Sequence, residues 1–340
     1  MVLQNTLFIT TQGAYARLDH ETIAVESEGK VMIRVPFHHL GAIVAYGNVL
    51  FSPFLIHRCA RDGPSITWMS EYGGFRAQVQ GPTTGNVLLR VAQQEALREH
   101  PSAIVKRLVW GKVQNQRQIL MRAARDARKP ADKEALSRGA KMIAVLIKAI
   151  PKMEEVNRLR GVEGMAARIY FRRFPLLLLR DRDEWAMHGR NRRPPKDPVN
   201  ALLSFGYALL RSECQSACEV TGLDPQVGYL HALRPGRPAL ALDLMEEFRS
   251  HFVDRMVVSL VNRAQLKPSD FSWKTGGAVE LKDSGRRTFL SEYQKRKQET
   301  IRHEGIDQTV SLGLLPIIQA RIMARFLRKD IDEYQPFLFR

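Results

Sequence analysis

The chain has 340 residues, with 52 Lys+Arg against 35 Asp+Glu and a net charge of +17. That length fits one large or two ordinary domains, and 44% hydrophobic with 26% charged residues excludes wholesale disorder. The anomaly is the sign of the charge, which draws polyanions: nucleic acid foremost, an anionic membrane surface as the rival.

The first eighty residues read as β structure. Thr6–Thr11, Tyr15–Leu18, Thr22–Val25 and Val31–Pro36 are short β-branched or aromatic runs, parted by turn residues at Gln12-Gly13, Asp19-His20 and Ser27-Glu28-Gly29. Ala42–Tyr46 follows, then a Gly47-Asn48 turn. Ser52 as N-cap and Pro53 at the first helical position open a helix that passes Cys59 and ends near Asp62-Gly63. Ser65–Ser70 and Phe75–Gln80, flanking Gly73-Gly74, read as a hairpin. Gly81-Pro82-Thr83-Thr84-Gly85 is the best boundary in the chain.

Everything after the boundary has helical apolar spacing: Val87–Val113, Asn115–Ala127, Ala135–Ile150, Glu154 to about Leu179, Pro198–Thr221, Ala239–Asn262, Arg286–His303 and Val310–Arg328. The expected fold is therefore α+β: a β-rich domain over residues 1–80, a linker over 81–86, and a larger all-α domain over 87–340. Cys59, Cys214 and Cys218 have neither a disulfide framework nor zinc spacing and read as buried thiols. The start, Met1-Val2-Leu3-Gln4-Asn5, has no signal-peptide pattern. Glycine and proline break the uncharged run Leu40–Ile56 into pieces too short to span a membrane, so a cytoplasmic protein is expected.

The positive charge gathers in the helical part. Arg158, Arg160, Arg168, Arg172, Arg173, Arg180, Arg182, Arg190, Arg192 and Arg193 face only Glu163, Asp181, Asp183 and Glu184. Arginine in this excess points to bidentate phosphate contacts, and no basic stripe carries the wide apolar face a membrane needs.

Familiar catalytic signatures are missing, but three local features remain. Glu163 lies in Arg160-Gly161-Val162-Glu163-Gly164, where two glycines in a helical pattern cost about 1 kcal/mol each against Ala. A close approach of backbone or ligand is one reason for them; a surface Glu paired to Arg is the plain alternative. His231 follows Tyr229-Leu230, as a ligand or as a structural hydrogen-bonder. On Leu240–Arg249, taking Asp243 as zero and about 100° per residue, Glu246 falls near −60° and Glu247 near 40°, while Leu244 and Phe248 lie near 100° and 140°. Acids sharing a face need a cation between them, either a divalent metal or an arginine network. The residues alone leave metal-dependent phosphodiester chemistry and a non-catalytic DNA-binding helical module level.

Three segments resemble the CRISPR-associated spacer-acquisition endonuclease/integrase family (Cas family one): Gly161–Gly164 with Ala167-Arg168 and Tyr170-Phe171; Arg192-Arg193-Pro194-Pro195-Lys196-Asp197-Pro198-Val199-Asn200 through Tyr207; and Gly222–Pro225 through His231 to Leu240–Arg249. Arg-Pro-Pro-x-Asp-Pro-x-Asn is the most specific of them. The match is closest to the type I branch, with subtype I-C as its expected place. The resemblance implies a DNA endonuclease and integrase using Mg²⁺ or Mn²⁺, with Glu163, His231 and Glu246 as ligands and Asp243 as a further functional acid. It makes Glu247 a solvent acid, and Asn200 and Ser204 residues that hold the site in shape or touch DNA. Arg172, Arg173, Arg192, Arg193 and Arg249 become DNA contacts. It also implies a homodimer joined through the β domain, double-stranded DNA as substrate, and a small partner of CRISPR-associated family two. A simple metal-dependent nuclease is the other enzymatic reading.

Overall fold

The structure, a computed structural model, describes residues 5–62, 64–71, 75–79, 81, 87–180 and 182–339. The expected turn at Gly73-Gly74, the helix end at Gly63, residues 82–86 of the linker, and Asp181 lie outside the described residues. The chain divides into two units, Met1–Thr84 with Phe289–Gln298, and Gly85–Thr288 with Glu299–Arg340. Sheet-rich first and helix-rich after, it is the α+β arrangement expected.

In the first unit, β1 (Asn5–Ile9), β5 (Leu40–Tyr46), β7 (Ser65–Met69) and β8 (Phe75–Val79) form one sheet in that order. β2 (Ala14–Asp19), β3 (Thr22–Ser27), β4 (Lys30–Pro36) and β6 (Val49–Phe51) form a second, in the order β4-β3-β2-β6. β1, β5 and β7 run parallel, and α1 (Pro53–Asp62) makes the crossover from the β5–β6 region to β7. The Ser52 hydroxyl accepts from Leu55 N–H at 3.2 Å, so the helix starts at the cap the sequence offers. Alternation along the strands buries Ile9, Ala14, Ala16, Ile23, Val25, Ile43, Ala45 and Ile66 with Leu55 and Cys59 of α1 in one core. β4 is the outer strand of its sheet and leaves Val31, Met32 and Ile33 exposed.

The second unit is built on α2 (Val87–Glu99), α3 (Pro101–Asp126), α4 (Pro130–Ala149), α5 (Val156–Arg173), α6 (Pro198–Thr221), α7 (Ala239–Arg249) and α8 (Arg255–Asn262). β9 (Phe271–Trp273), β10 (Val279–Leu281), β11 (Thr300–His303), β12 (Gln308–Ser311) and α10 (Leu315–Leu327) complete it, while α9 (Asp283–Gln298), between β10 and β11, belongs from Phe289 on to the first unit. Several expected helices differ in extent: Glu154 to about Leu179 ends as an α-helix at Arg173, and Val310–Arg328 starts only at Leu315, because Val310 and Ser311 belong to β12. Pro101 splits Val87–Val113, because it lacks the N–H to continue a helix and instead opens α3. Ala239–Asn262 is interrupted by a π-helical turn, Ser250–Asp254. Arg286–His303 ends at Gln298, and its β-branched tail Thr300–His303 pairs with β12 as a hairpin, which with β9–β10 places strands inside the helical region. α6 keeps the expected bounds: Asp197 Oδ1 accepts from Asn200 N–H at 2.8 Å, and Gly222, at φ +81°, ends the helix in the left-handed conformation. α3 runs through the middle of this unit against α4, α5 and α7, with Ile104, Leu108, Lys112, Gln116 and Ile119 on its buried side. All three cysteines are free and buried. Among the described residues no helix is long and apolar enough to cross a membrane.

Candidate metal centre

Glu163 stands on α5, Glu246 on α7, and His231 on the loop between α6 and α7. That loop is shaped by Asp243, which is fully buried. Asp243 Oδ2 accepts from the backbone N–H of Tyr229 at 2.6 Å and Leu230 at 2.9 Å. Its Oδ1 accepts from the His231 N–H at 2.9 Å and lies 2.7 Å from His231 Nδ1. A carboxylate that already accepts from three backbone N–H groups faces Nδ1, so the network assigns a ring hydrogen to Nδ1; in the neutral ring the lone pair is then on Nε2. Nε2 lies 4.0 Å from Glu246 Oε1. The sequence placed Asp243 among the catalytic acids; its burial and saturated oxygens make it a positioning residue, which sets the tautomer and aim of His231.

Glu246 is 3% exposed and meets a cation on each oxygen: Arg249 Nη1 donates to Oε1 at 2.6 Å, and Lys112 Nζ lies 2.6 Å from Oε2. The Lys112 contact is an ion pair without hydrogen-bond alignment, since Oε2 is buried and has no hydrogen-bond partner. The Lys112 ammonium also donates to Glu163 Oε1. Burial alone would push the Glu246 carboxyl up, but the positive charges of Arg249 and Lys112 outweigh it and hold the group below the usual carboxylate range.

Two carboxylates and one imidazole with a free Nε2 form an oxygen–nitrogen donor set suited to Mg²⁺ or Mn²⁺. A cation stands between the two carboxylates in this arrangement, and it is the ammonium of Lys112. With it there, no three His, Cys, Asp or Glu side chains among the described residues converge as ligands of one ion. The donor types are those that suit such an ion.

A polar network backs the cluster. The Arg249 guanidinium lies 4.0 Å from the centre of the Tyr207 ring, and the hydroxyls of Tyr207 and Tyr170 both donate to Asp254, the latter at 2.9 Å. Burial pushes Asp254 up to about 6, against the pull of Tyr207, Arg249, Tyr170 and Arg190. Arg190 packs over the other side of the network, donating to Asn200 Oδ1 at 2.7 Å and Ser204 Oγ at 3.0 Å. Asn200 is fully buried and also donates to Gly189 O and Asp197 Oδ2, so it holds the loop before α6 and cannot touch DNA. Ser204 likewise serves Arg190.

Of the arginines expected on DNA, Arg172, Arg192 and Arg193 are exposed. Arg173 is turned inward: its Nε donates to Ala135 O at 2.9 Å, its Nη1 to Ile169 O at 3.0 Å, and its stem lies over Gly139. Arg249 is taken up by Glu246 and Tyr207. Both are corrections, with one cause: each guanidinium already has protein acceptors. Gly161 and Gly164 have no neighbour among the described residues where a Cβ would point, and with Arg168 they lie on an exposed face of α5, turned away from the side on which Glu163 meets Lys112. Glu247 is not a solvent acid. It is fully buried, its oxygens accept from Tyr334 Oη at 2.5 Å, Phe337 N at 2.7 Å and Gln319 Nε2 at 2.9 Å, and burial pushes it up to about 8. Sequence reasoning missed Lys112, Arg190 and Asp254. Lys112 carried a signal, a charge on the apolar stripe of α3; Asp254 carried none, because the π-turn that aims it is not periodic.

Fold and site together define an α+β protein with a carboxylate–imidazole cluster carried on two helices and a loop. The profile of the family described as CRISPR associated protein Cas1 matches residues 7–295. The chain is 47% identical to the CRISPR-associated endonuclease Cas1 1 of Moorella thermoacetica, over 100% of this chain and 99% of that one. It is also 47% identical to the CRISPR-associated endonuclease Cas1 2 of Rhodospirillum rubrum, over 99% of each. A Cas1 protein from Thermotoga maritima shares the fold at a TM-score of 0.80 and 24% identity, across 96% of this chain and 97% of that one. The chain belongs to the Cas1 family of CRISPR-associated proteins.

Proposed function

We propose that this protein is a metal-dependent DNA endonuclease and integrase of CRISPR adaptation, joining the 3′-hydroxyl ends of captured DNA into a CRISPR repeat by transesterification. The observation that supports this reading is the cluster of Glu163 and Glu246 about Lys112, with His231 held at Nδ1 by Asp243 and its Nε2 4.0 Å from Glu246. Glu163, His231 and Glu246 would hold Mg²⁺ or Mn²⁺. The ion supplies positive charge to the phosphoryl oxygens and lowers the barrier to attack. Asp243, holding His231 at Nδ1, would aim Nε2 at the ion. Tyr207 and Arg249 fix Glu246 from behind. Arg172, Arg192 and Arg193 neutralise backbone phosphates and so position the duplex without reading its sequence. The attacking hydroxyl and the leaving hydroxyl belong to DNA; one phosphodiester is made as one is broken, so no nucleotide cofactor is required.

Inserting a duplex takes two strand transfers at separated positions, hence two copies of the site at a fixed spacing. A homodimer with two-fold symmetry supplies them, and the edge strand β4 with Val31, Met32 and Ile33 is the surface proposed for it. A small protein of CRISPR-associated family two is the proposed partner. Type I, subtype I-C, is the proposed branch and rests on the motif resemblance.

The test is transfer of a labelled DNA fragment into a repeat-bearing plasmid, with Mn²⁺ and with chelator. Transfer with Mn²⁺ that chelator abolishes is expected, and His231→Ala should lose it while DNA affinity stays within a few-fold. Hydrolysis without joining would leave a nuclease alone. DNA binding with neither activity would leave a non-catalytic binding protein.

A further inference from the structure

Lys112 is a buried lysine at 4% exposure, and its ammonium stands between the two carboxylates proposed as metal ligands. A lysine on the apolar side of a helix loses its hydration and is kept only where opposite charges meet it. Here both opposite charges, Glu163 and Glu246, are ones a metal would need. An ammonium and a divalent ion cannot share that space: both are positive, both need the same oxygens, and Lys112 and Glu246 are buried, where screening by water is weak.

We propose that Lys112 is an exchangeable counter-cation of the metal centre. In the metal-free protein it neutralises Glu163 and Glu246 and holds α3, α5 and α7 together at the site; on metal binding it withdraws from both carboxylates. The affinity for metal is then a difference between two cations competing for one pair of acids. A doubly charged ion displaces the singly charged ammonium where a monovalent ion does not, so the device also favours divalent metals. This inference rests on the metal-site reading above and goes beyond it.

An ordinary structural ion pair would behave differently. Removing its lysine would weaken the protein equally with and without metal. An exchangeable cation matters only while the metal is absent.

The experiment uses the full chain and Mn²⁺ alone, without DNA, and compares the wild type with Lys112→Met. Calorimetric titration is expected to show Mn²⁺ binding to Lys112→Met about tenfold to a hundredfold more tightly, the span that coupling between groups of one network converts to. In EDTA the thermal midpoint of Lys112→Met should fall below that of the wild type, and saturating Mn²⁺ should close the gap. If Lys112→Met does not fold without metal, chelator competition from the Mn²⁺-loaded protein gives the same comparison of affinities. Equal or weaker Mn²⁺ binding by Lys112→Met overturns the proposal, as does a midpoint gap that saturating Mn²⁺ leaves unchanged. Glu163→Gln separates this inference from the reading beneath it. Wild-type binding that Glu163→Gln abolishes and Lys112→Met does not strengthen sinks the role of Lys112 alone. Binding indifferent to Glu163→Gln, or no Mn²⁺ uptake by any variant, sinks the metal-site reading and this inference with it.

Discussion

Asp243→Asn changes one oxygen to an amide and leaves the shape of the side chain intact, so it isolates hydrogen bonding. Asp243 faces four nitrogens, two on each oxygen, and an asparagine can serve only one pair. If its oxygen keeps Tyr229 and Leu230, its NH₂ faces His231. The imidazole must then accept at Nδ1 and carry its hydrogen on Nε2, which ends its use as a ligand. If its oxygen keeps His231, the NH₂ faces two backbone N–H groups at the turn. Either way two hydrogen bonds to a charged acceptor are lost, at about 1.5–3 kcal/mol each, or roughly 3–6 kcal/mol in all. Loss of an orienting partner of a metal-binding histidine costs about 10–100-fold in metal affinity.

Urea denaturation followed by helical circular dichroism reads the first number, and Mn²⁺ calorimetry the second. Asp243→Ala is the companion variant: it removes the carboxylate without adding a donor, so His231 loses its aim but keeps both tautomers, and its metal affinity should fall less than that of Asp243→Asn. A folded Asp243→Asn protein with wild-type stability and wild-type Mn²⁺ affinity would refute the tautomer argument.

Glu247, raised to about 8 from an ordinary 4.5, favours folding while protonated; that contribution is complete below about 4.5 and is lost as pH rises through about 8. Stability should decline across that window by about 1.4 kcal/mol per pH unit at most, and Glu247→Gln should flatten the decline in denaturation midpoints taken from pH 6 to 9. Arg172→Ala should lessen the slope of log K for DNA against log salt by about 1, whereas Arg173→Ala should leave the slope and lower the thermal midpoint; the reverse pattern would show the two arginines misassigned. Met32→Glu with Ile33→Lys on β4 should yield a monomer by light scattering, and a dimer that survives them places the interface elsewhere.

Sequence made the β region legible because short strands announce themselves by β-branched runs between Gly, Asn and Asp turns. Only β6, three residues wedged between Gly47-Asn48 and Ser52-Pro53, escaped, being too short to alternate. Helices were found where caps are chemical, as at Asp197-Pro198 and Gly222, and were overrun where helical spacing continued past a stop. Thr300–His303 carries on the apolar spacing of α9, yet Thr300 and Ile301 are β-branched and find a partner strand 5–11 residues further on, which a local window does not weigh. Lys112 was legible and unread. At α3's buried positions Ile104, Leu108 and Gln116, the residue between Leu108 and Gln116 is a charge, and a charge on an apolar stripe predicts an acid facing it.

Asp243, Glu246 and Glu247 lie within five residues of one helix, all buried, and no property of the three side chains distinguishes their tasks. What faces them does. Asp243 meets only N–H donors, three of them backbone, so it shapes a loop and a histidine. Glu246 meets Arg249, Lys112 and His231, stays ionised against its burial, and is the one whose charge a metal can take over. Glu247 meets a tyrosine, a glutamine and a backbone N–H, none of them charged, and so drifts toward neutrality while it anchors Tyr334 and Phe337. Arg249 apart, which is on the same helix, the partners that decide this come from α3, the loop before α7, α10 and the last residues of the chain, between 12 and 134 positions away from the acids they serve. Helical arithmetic separated Glu246 from Glu247 but gave each a face and not a neighbour, and Glu247, expected as a solvent acid, is a fully buried anchor. Assigning such acids requires the cation inventory of every element packed against them, and here that inventory begins with one lysine on α3.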